Sequence, residues 1–308
     1  MRKIAIIGAG RVGEATAHFL AKEDICRELV LIDVREGVPQ GAALDVQESA
    51  PLFGFDTRVW GDSHPEAMGG AGVVIVTAGM PRKPGMSRSD VLDTNARIVD
   101  KIVDDVLQHA PDAILLMVSN PVDVLTYRAW KRSGWSRHRV LGQAGVLDAS
   151  RLASFVAMET GLSVKDIHAM VLGGHGDAMV PLVRHTTVSG IPISQFLNDE
   201  ALERVIERTR HGGAEILSLK QTSSAYDAPA TAITAMVEAI ARDRKRILPT
   251  VAVLEEEYGQ RDVATGVPCI LGQDGMEQVV ELDLTEAEQA MFEASVATIR
   301  EDLARLPD

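Results

Sequence analysis

The chain has 308 residues, 46% of them hydrophobic and 24% charged, which allows a sizeable core and either two lobes or one large α/β unit. A formal net charge of −13, from 44 acidic against 31 basic residues, disfavours nucleic acid or an anionic membrane as a partner and requires any anionic substrate to be met by locally focused arginines. Cys26 and Cys269 form neither a disulfide framework nor a metal-ligand cluster, so reduced thiols, a cytoplasmic location and no metal site are expected.

The apolar run Lys3 to Ile7 stops at Gly8, far too short for a signal peptide, and reads as a strand. It leads into Gly8-Ala9-Gly10-Arg11-Val12-Gly13 and then a helical pattern through Ala15, Phe19 and Leu20. Strand, GxGxxG and helix in this order make a dinucleotide-binding turn. The first glycine permits the bend, the second lets backbone approach a pyrophosphate, and the third lets helix and strand pack closely. A second strand, Glu28 to Ile32, ends at Asp33, which is placed to accept ribose hydroxyls of NAD and to repel the 2′-phosphate of NADP.

The alternation continues with a helical segment Pro39 to Ser49 and strands Thr57 to Trp60 and Val73 to Thr77. Next comes Thr77-Ala78-Gly79-Met-Pro-Arg82-Lys-Pro-Gly-Met-Ser-Arg88, with two arginines, two prolines after Met80 and hinge glycines. Such a loop can close on a small anion, although a solvated surface loop has the same composition. An amphipathic helix Asp90 to His109, a strand Ala113 to Val118, the segment Ser119-Asn120-Pro121-Val122-Asp123 with a helix through Trp130, and a short strand Val140-Leu141 follow. This rhythm predicts a Rossmann-type, doubly wound parallel sheet over residues 1–143, with the glycine turn, Asp33, the loop and Asn120 all on one rim.

From residue 144 to 308 the pattern changes to an α+β substrate domain. Helices are expected over Asp148 to Thr160, Asp199 to Lys220, Ala228 to Arg244 and from a capping box at Thr285–Glu288 to about Leu306. Strands are expected over Ile167 to Leu172, Val180 to Val188, Thr250 to Glu256, Thr265 to Leu271 and Met276 to Glu281. Among eight histidines, His175 in Gly173-Gly-His-Gly-Asp177 is a polar ring between glycines just after a strand, where proton transfer is best placed. Asp148 and Arg151 are spaced i, i+3 on one helix face. They fit a wet intrahelical ion pair, or a divided role in which Asp148 orients an imidazole and Arg151 grips a carboxylate.

With these motifs in this order, the whole chain resembles the lactate/malate dehydrogenase family: Gly8–Gly13, Thr77-Ala-Gly79, Ser119–Asp123, Leu147-Asp-Ala-Ser-Arg151, Gly174–Asp177 and Ser223-Ser-Ala-Tyr226. The resemblance implies that His175 and Asp148 are the proton-transfer pair. It implies that Arg151 binds the substrate carboxylate at C1 and that Arg88 polarises the reacting carbonyl. Asn120 would contact substrate and cofactor, Asn95 and Val118 would lie beside the cofactor, and Ser223 would line the substrate pocket. Arg82 stands where lactate dehydrogenases similar to this chain carry Gln and malate dehydrogenases carry Arg, so the resemblance is to the lactate-dehydrogenase-like malate branch. NAD as cofactor, a small dicarboxylate substrate (malate or oxaloacetate) and a homotetramer or homodimer are what that branch implies. The rival expectations are a lactate or other 2-hydroxyacid dehydrogenase and a catalytically silent NAD-binding protein.

Overall fold

The computed structural model describes residues 1–80 and 88–306. Its first half runs β1 (Lys3–Ile7), α1 (Arg11–Lys22), β2 (Glu28–Ile32), α2 (Val38–Glu48), the single turn α3 (Ala50–Phe53), β3 (Arg58–Asp62), β4 (Val73–Val76), α4 (Arg88–His109), β5 (Ile114–Met117), α5 (Val122–Ser133) and β6 (Val140–Gly142). The six strands pair in parallel in the order β3-β2-β1-β4-β5-β6. The order reverses between β1 and β4, so Gly8 and Thr77 leave neighbouring strands at the switch point, where such sheets bind ligands.

Why these strands form is visible in their sequence. Val73-Val-Ile-Val76 and Ile114-Leu-Leu-Met117 are apolar throughout and buried throughout, as strands covered by helices on both faces must be. Each fully buried aliphatic side chain contributes roughly 1.5–3 kcal/mol of burial. The helix α1 buries Gly13, Thr16, Ala17, Leu20 and Ala21, one stripe at helical spacing, and keeps Glu14 and Lys22 off it.

The second half runs α6 (Gly145–Thr160), β7 (Ile167–His168), β8 (Val171–Gly173), β9 (Met179–Pro181), β10 (Thr187–Val188), β11 (Ile191–Pro192), α7 (Asp199–Lys220), α8 (Asp227–Ala241), β12 (Arg246–Leu254), β13 (Val263–Gly272), β14 (Gly275–Val279) and α9 (Glu286–Leu303). Its long strands extend the same sheet. Antiparallel β12 joins the edge at β6 through Val251 opposite Gly142, and the order continues β12-β13-β8-β9. The joint between β13 and β8 pairs Gly266 with Gly173, and a side chain on Gly266 would overlap the Gly173 carbonyl. Strands β11, β10 and β7 form a small separate sheet.

Two expected strands are broken. Ile167 to Leu172 splits into β7 and β8, which belong to different sheets. Val180 to Val188 is interrupted by one 3₁₀ turn at Val183–His185, because Pro181 offers no N–H and Thr186 Oγ1 bonds the Leu182 carbonyl to close the turn. The final helix opens on a reciprocal capping box between Thr285 and Glu288.

Candidate active site

The glycine turn is held from behind by the strand beside it. Gly8 adopts φ +108°, and a Cβ there would press on Ala78 N at 2.6 Å and Thr77 Oγ1 at 2.8 Å. Thr77 Oγ1 donates to the Gly8 carbonyl at 2.9 Å, and Ala78 N donates to the Ile7 carbonyl at 2.9 Å. A Cβ on Gly13 would overlap the Gly8 carbonyl, so close packing of α1 on β1 requires glycine. Gly10, by contrast, faces open space at the start of α1. This is a cradle with room on the side of the helix N-terminus, and it fits a dinucleotide pyrophosphate. Arg11 lies over the Tyr226 ring at 5.6 Å, and Val12 is half-buried in the first turn, its carbonyl accepting from Thr16 Oγ1 at 2.7 Å.

Asp33 sits at the end of β2 facing this turn. Its Oδ2 accepts from Ala9 N at 2.9 Å and from Arg35 Nη2 at 2.8 Å, and its Oδ1 accepts from Arg35 N at 3.0 Å and Arg35 Nε at 2.9 Å. The Arg35 side chain holds the carboxyl down at about 2, against a partial opposition from burial and with help from the two backbone N–H groups.

A hydrogen-bonded path runs from this rim toward His175. Asn95, buried on α4, accepts from Met80 N through Oδ1 at 2.7 Å and donates through Nδ2 to the Asn120 carbonyl at 2.8 Å. A Cβ on Gly79 would stand 3.3 Å from the same amide, so the glycine leaves it room. Val118 N donates to the Val76 carbonyl at 2.9 Å, and Ser119 Oγ reaches the Ala78 carbonyl at 2.5 Å. Asn120 is exposed at the rim, with a cis peptide bond to Pro121. Three residues further on, Asp123 in the first turn of α5 accepts the His175 backbone N–H through Oδ2 at 3.0 Å.

His175 lies on the bend between β8 and β9. Gly173 and Gly176 flank it at φ +79° and +89°, conformations that favour glycine. Gly174 N is bonded to Ser295 Oγ of α9 at 2.8 Å. The ring's Nδ1 lies 2.9 Å from Asp148 Oδ2, and the side chains of the two are 21% and 2% exposed. Because the Asp148 carboxylate accepts, Nδ1 carries the hydrogen and, among the described residues, Nε2 is left as the free nitrogen. Burial works against the imidazolium, but the Asp148 charge, its hydrogen bond and the Asp123 charge outweigh burial and Arg151, so the pKa of His175 lies above its ordinary 6.5.

The other Asp148 oxygen accepts from Arg151 Nη1 at 3.2 Å. That pair is buried, its side chains 12% and 2% exposed, which removes the wet-surface reading. Gly212 and Gly213 on α7 face the Arg151 side chain, where a Cβ would stand in ordinary contact, 3.4 Å from Cδ and 3.5 Å from Nη2. Arg151 Nε is buried without a partner among the described residues. A guanidinium with spare donors, beside an imidazole with one free nitrogen, can take a carboxylate and hold the atom next to it against a base.

The remaining sequence candidates are placed as follows. Arg82 lies outside the described residues. Arg88 is described as the first residue of α4. Ser223 is half-buried in the connection between α7 and α8. Among the described residues no group of three or more His, Cys, Asp or Glu could hold a metal ion. No local pattern assigns a role to Asp123 or Ser295. Asp123 lies inside the Ser119–Asp123 motif, whereas Ser295 is 121 residues from the backbone it holds and carries no local signal.

A doubly wound sheet with a glycine cradle at its switch point and a carboxylate-held imidazole farther along the rim is the arrangement of a dinucleotide-dependent dehydrogenase. The chain belongs to the lactate/malate dehydrogenase family. The model for that family's NAD binding domain matches residues 2–142, and the model for its alpha/beta C-terminal domain matches residues 145–306. The chain is 70% identical over 306 residues to a malate dehydrogenase of Thioalkalivibrio sulfidiphilus, covering 99% of this chain and 100% of that one. Among solved structures, a malate dehydrogenase from Salinibacter ruber is 43% identical with a TM-score of 0.94, over 98% of this chain and 97% of that one. A lactate dehydrogenase from Cryptosporidium parvum, complexed with lactic acid and β-nicotinamide adenine dinucleotide, is 37% identical with a TM-score of 0.95, over 98% and 97%.

Proposed function

We propose that the protein catalyses the reversible oxidation of (S)-malate to oxaloacetate with NAD as cofactor. The observation that carries the chemistry is the His175–Asp148–Arg151 cluster: one imidazole with its Nδ1 engaged at 2.9 Å and a buried guanidinium tied to the same carboxylate. The glycine turn, Asp33, Asn95 and Asn120 would hold NAD, which when bound supplies the hydride acceptor for alcohol oxidation.

Each side chain has a separate task. Arg151 pairs with the C1 carboxylate of malate and thereby fixes the C2 hydroxyl near Nε2 of His175. Nε2 accepts the hydroxyl proton as the C2 carbonyl forms, and Asp148 stabilises the resulting imidazolium. Arg88 stabilises negative charge on the reacting oxygen. In the reverse direction His175 must begin protonated. Its raised pKa keeps that form available above pH 6.5, and oxaloacetate binding is lost as pH rises through the raised value.

The choice of malate over lactate rests on Arg82 and on the 70% identical malate dehydrogenase. The overall backbone does not discriminate, since the lactate dehydrogenase neighbour superposes as well as the malate dehydrogenase one. Arg82 pairs with the second carboxylate of oxaloacetate, whereas with pyruvate its charge would be buried against a methyl group at a cost of about 3–5 kcal/mol. Arg82→Gln tests this directly: kcat/KM should fall for oxaloacetate and rise for pyruvate, and an unchanged ratio would show that Arg82 does not reach the substrate. Assembly as a homodimer or homotetramer in the cytoplasm belongs to the same reading, and sedimentation equilibrium checks the subunit number.

A further inference from the structure

Asp33 has more donors than its proposed task leaves room for. An ionised carboxylate offers about four lone-pair positions, two on each oxygen. Here each oxygen already receives two donors: Arg35 N and Arg35 Nε on Oδ1, Ala9 N and Arg35 Nη2 on Oδ2. The two backbone donors are built into the fold, one by the glycine turn and one by the bend that follows β2. The two remaining donors both come from one side chain, the Arg35 guanidinium, which is 58% exposed while Asp33 is 10% exposed. Without that side chain each Asp33 oxygen would have one backbone N–H and one free acceptor position, matching the two hydroxyls of a ribose.

We propose that Arg35 is a cofactor-discriminating residue that occupies the ribose-binding face of Asp33 and must be displaced when NAD binds, while its displaced guanidinium gives the site a cation for a 2′-phosphate. This rests on the reading of the glycine turn and Asp33 as the dinucleotide site. The sequence Asp33-Val34-Arg35 therefore contains two opposed elements. Asp33 alone would select NAD by accepting two hydroxyls and repelling phosphate. Arg35 blunts both effects, by competing for the acceptor positions and by neutralising the carboxylate that would repel NADP. Val34, 88% exposed, and Arg35 lie on the solvent side of the bend, so the guanidinium can swing away with no repacking of the core.

Direct binding separates this from a general electrostatic role. Titrations of parent and Arg35→Ala protein with NADH and with NADPH, followed by nicotinamide fluorescence, read Kd without turnover. The expected result is NADH binding about threefold to tenfold tighter in the variant, the scale of one bidentate pair with a largely buried partner, together with a higher ratio of Kd for NADPH to Kd for NADH. A residue acting merely as a surface cation would weaken both dinucleotides together on removal. Any result in which NADH does not tighten, or the ratio does not rise, overturns the role of Arg35 while leaving the dinucleotide site intact. If the parent protein binds neither nucleotide, the reading of the glycine turn fails and the role of Arg35 fails with it.

Discussion

Asp148 Oδ2 stands 2.9 Å from Nδ1 of His175 and orients the ring on its glycine-flanked bend, as the proposed base requires. The same carboxylate bonds Arg151, so the group that aims the base and the group proposed to grip the substrate share one buried anchor on α6. Asp148→Asn should therefore impair more than charge. An amide in that position can present a donor to Nδ1 and favour the wrong tautomer, and kcat should fall on the order of 10²- to 10⁴-fold. Steady-state kinetics with NADH titration as a control checks it. Loss of NADH binding with intact kcat would contradict the assignment.

Asp123 supplies a second, less obvious carboxylate. It is 6% exposed, its Oδ1 has no partner among the described residues, and burial pushes its carboxyl up to about 6, partly offset by the His175 backbone N–H and the His175 charge. Asp123→Asn keeps an acceptor for that N–H but removes a charge that favours the imidazolium. The alkaline limb of kcat/KM for oxaloacetate should move to lower pH, and a superimposable profile would show that Asp123 acts on backbone position alone.

The same substitution has a stability signature of opposite sense. A carboxyl titrating near 6 when folded and near 3.8 when free is more easily buried protonated, so the parent gains stability as pH falls from about 6 toward 4. At pH 8 the Asn variant should be the more stable, by at most about 3 kcal/mol, and the advantage should shrink as pH falls through that window. Urea unfolding at pH 8 and pH 5 reads the difference.

Ser295 ties α9 to the His175 bend by accepting the buried Gly174 N–H at 2.8 Å. Ser295→Ala leaves that donor without a partner, which should cost about 1–3 kcal/mol of stability. If Ser295 positions His175, kcat should also fall while KM for oxaloacetate stays near the parent value. A stability loss with unchanged kcat would make its role structural only.

What was legible in the sequence follows from range of interaction. The parallel strands announced themselves because strands buried on both faces must be apolar throughout, as Val73–Val76 and Ile114–Met117 are. The glycine turn was legible because Gly8 and Gly13 answer local steric demands and Gly10 leaves open space at the helix N-terminus. His175 was singled out by its glycine neighbours. The continuity of the sheet was not visible, because it depends on one residue pair, Val251 with Gly142, far apart in the chain. Neither were the holds of Asp123 and Ser295 on the His175 bend, 52 and 121 residues away, since spacing that long leaves no periodic trace. The capture of Asp33 by Arg35 lies two residues away and was within reach, but a strand-end acid followed by an arginine has no fixed meaning until the guanidinium is placed.

A site of this kind is proposed to turn over a four-carbon dicarboxylate. The most direct test is kcat/KM for oxaloacetate and for pyruvate with NADH, measured on the unaltered protein at one pH. If Arg82 and Arg151 each pair with one carboxylate, oxaloacetate should be preferred by on the order of 10²-fold or more, the scale of one buried unpaired charge. Equal turnover of the two, or a preference for pyruvate, would show that the site does not recognise a second carboxylate.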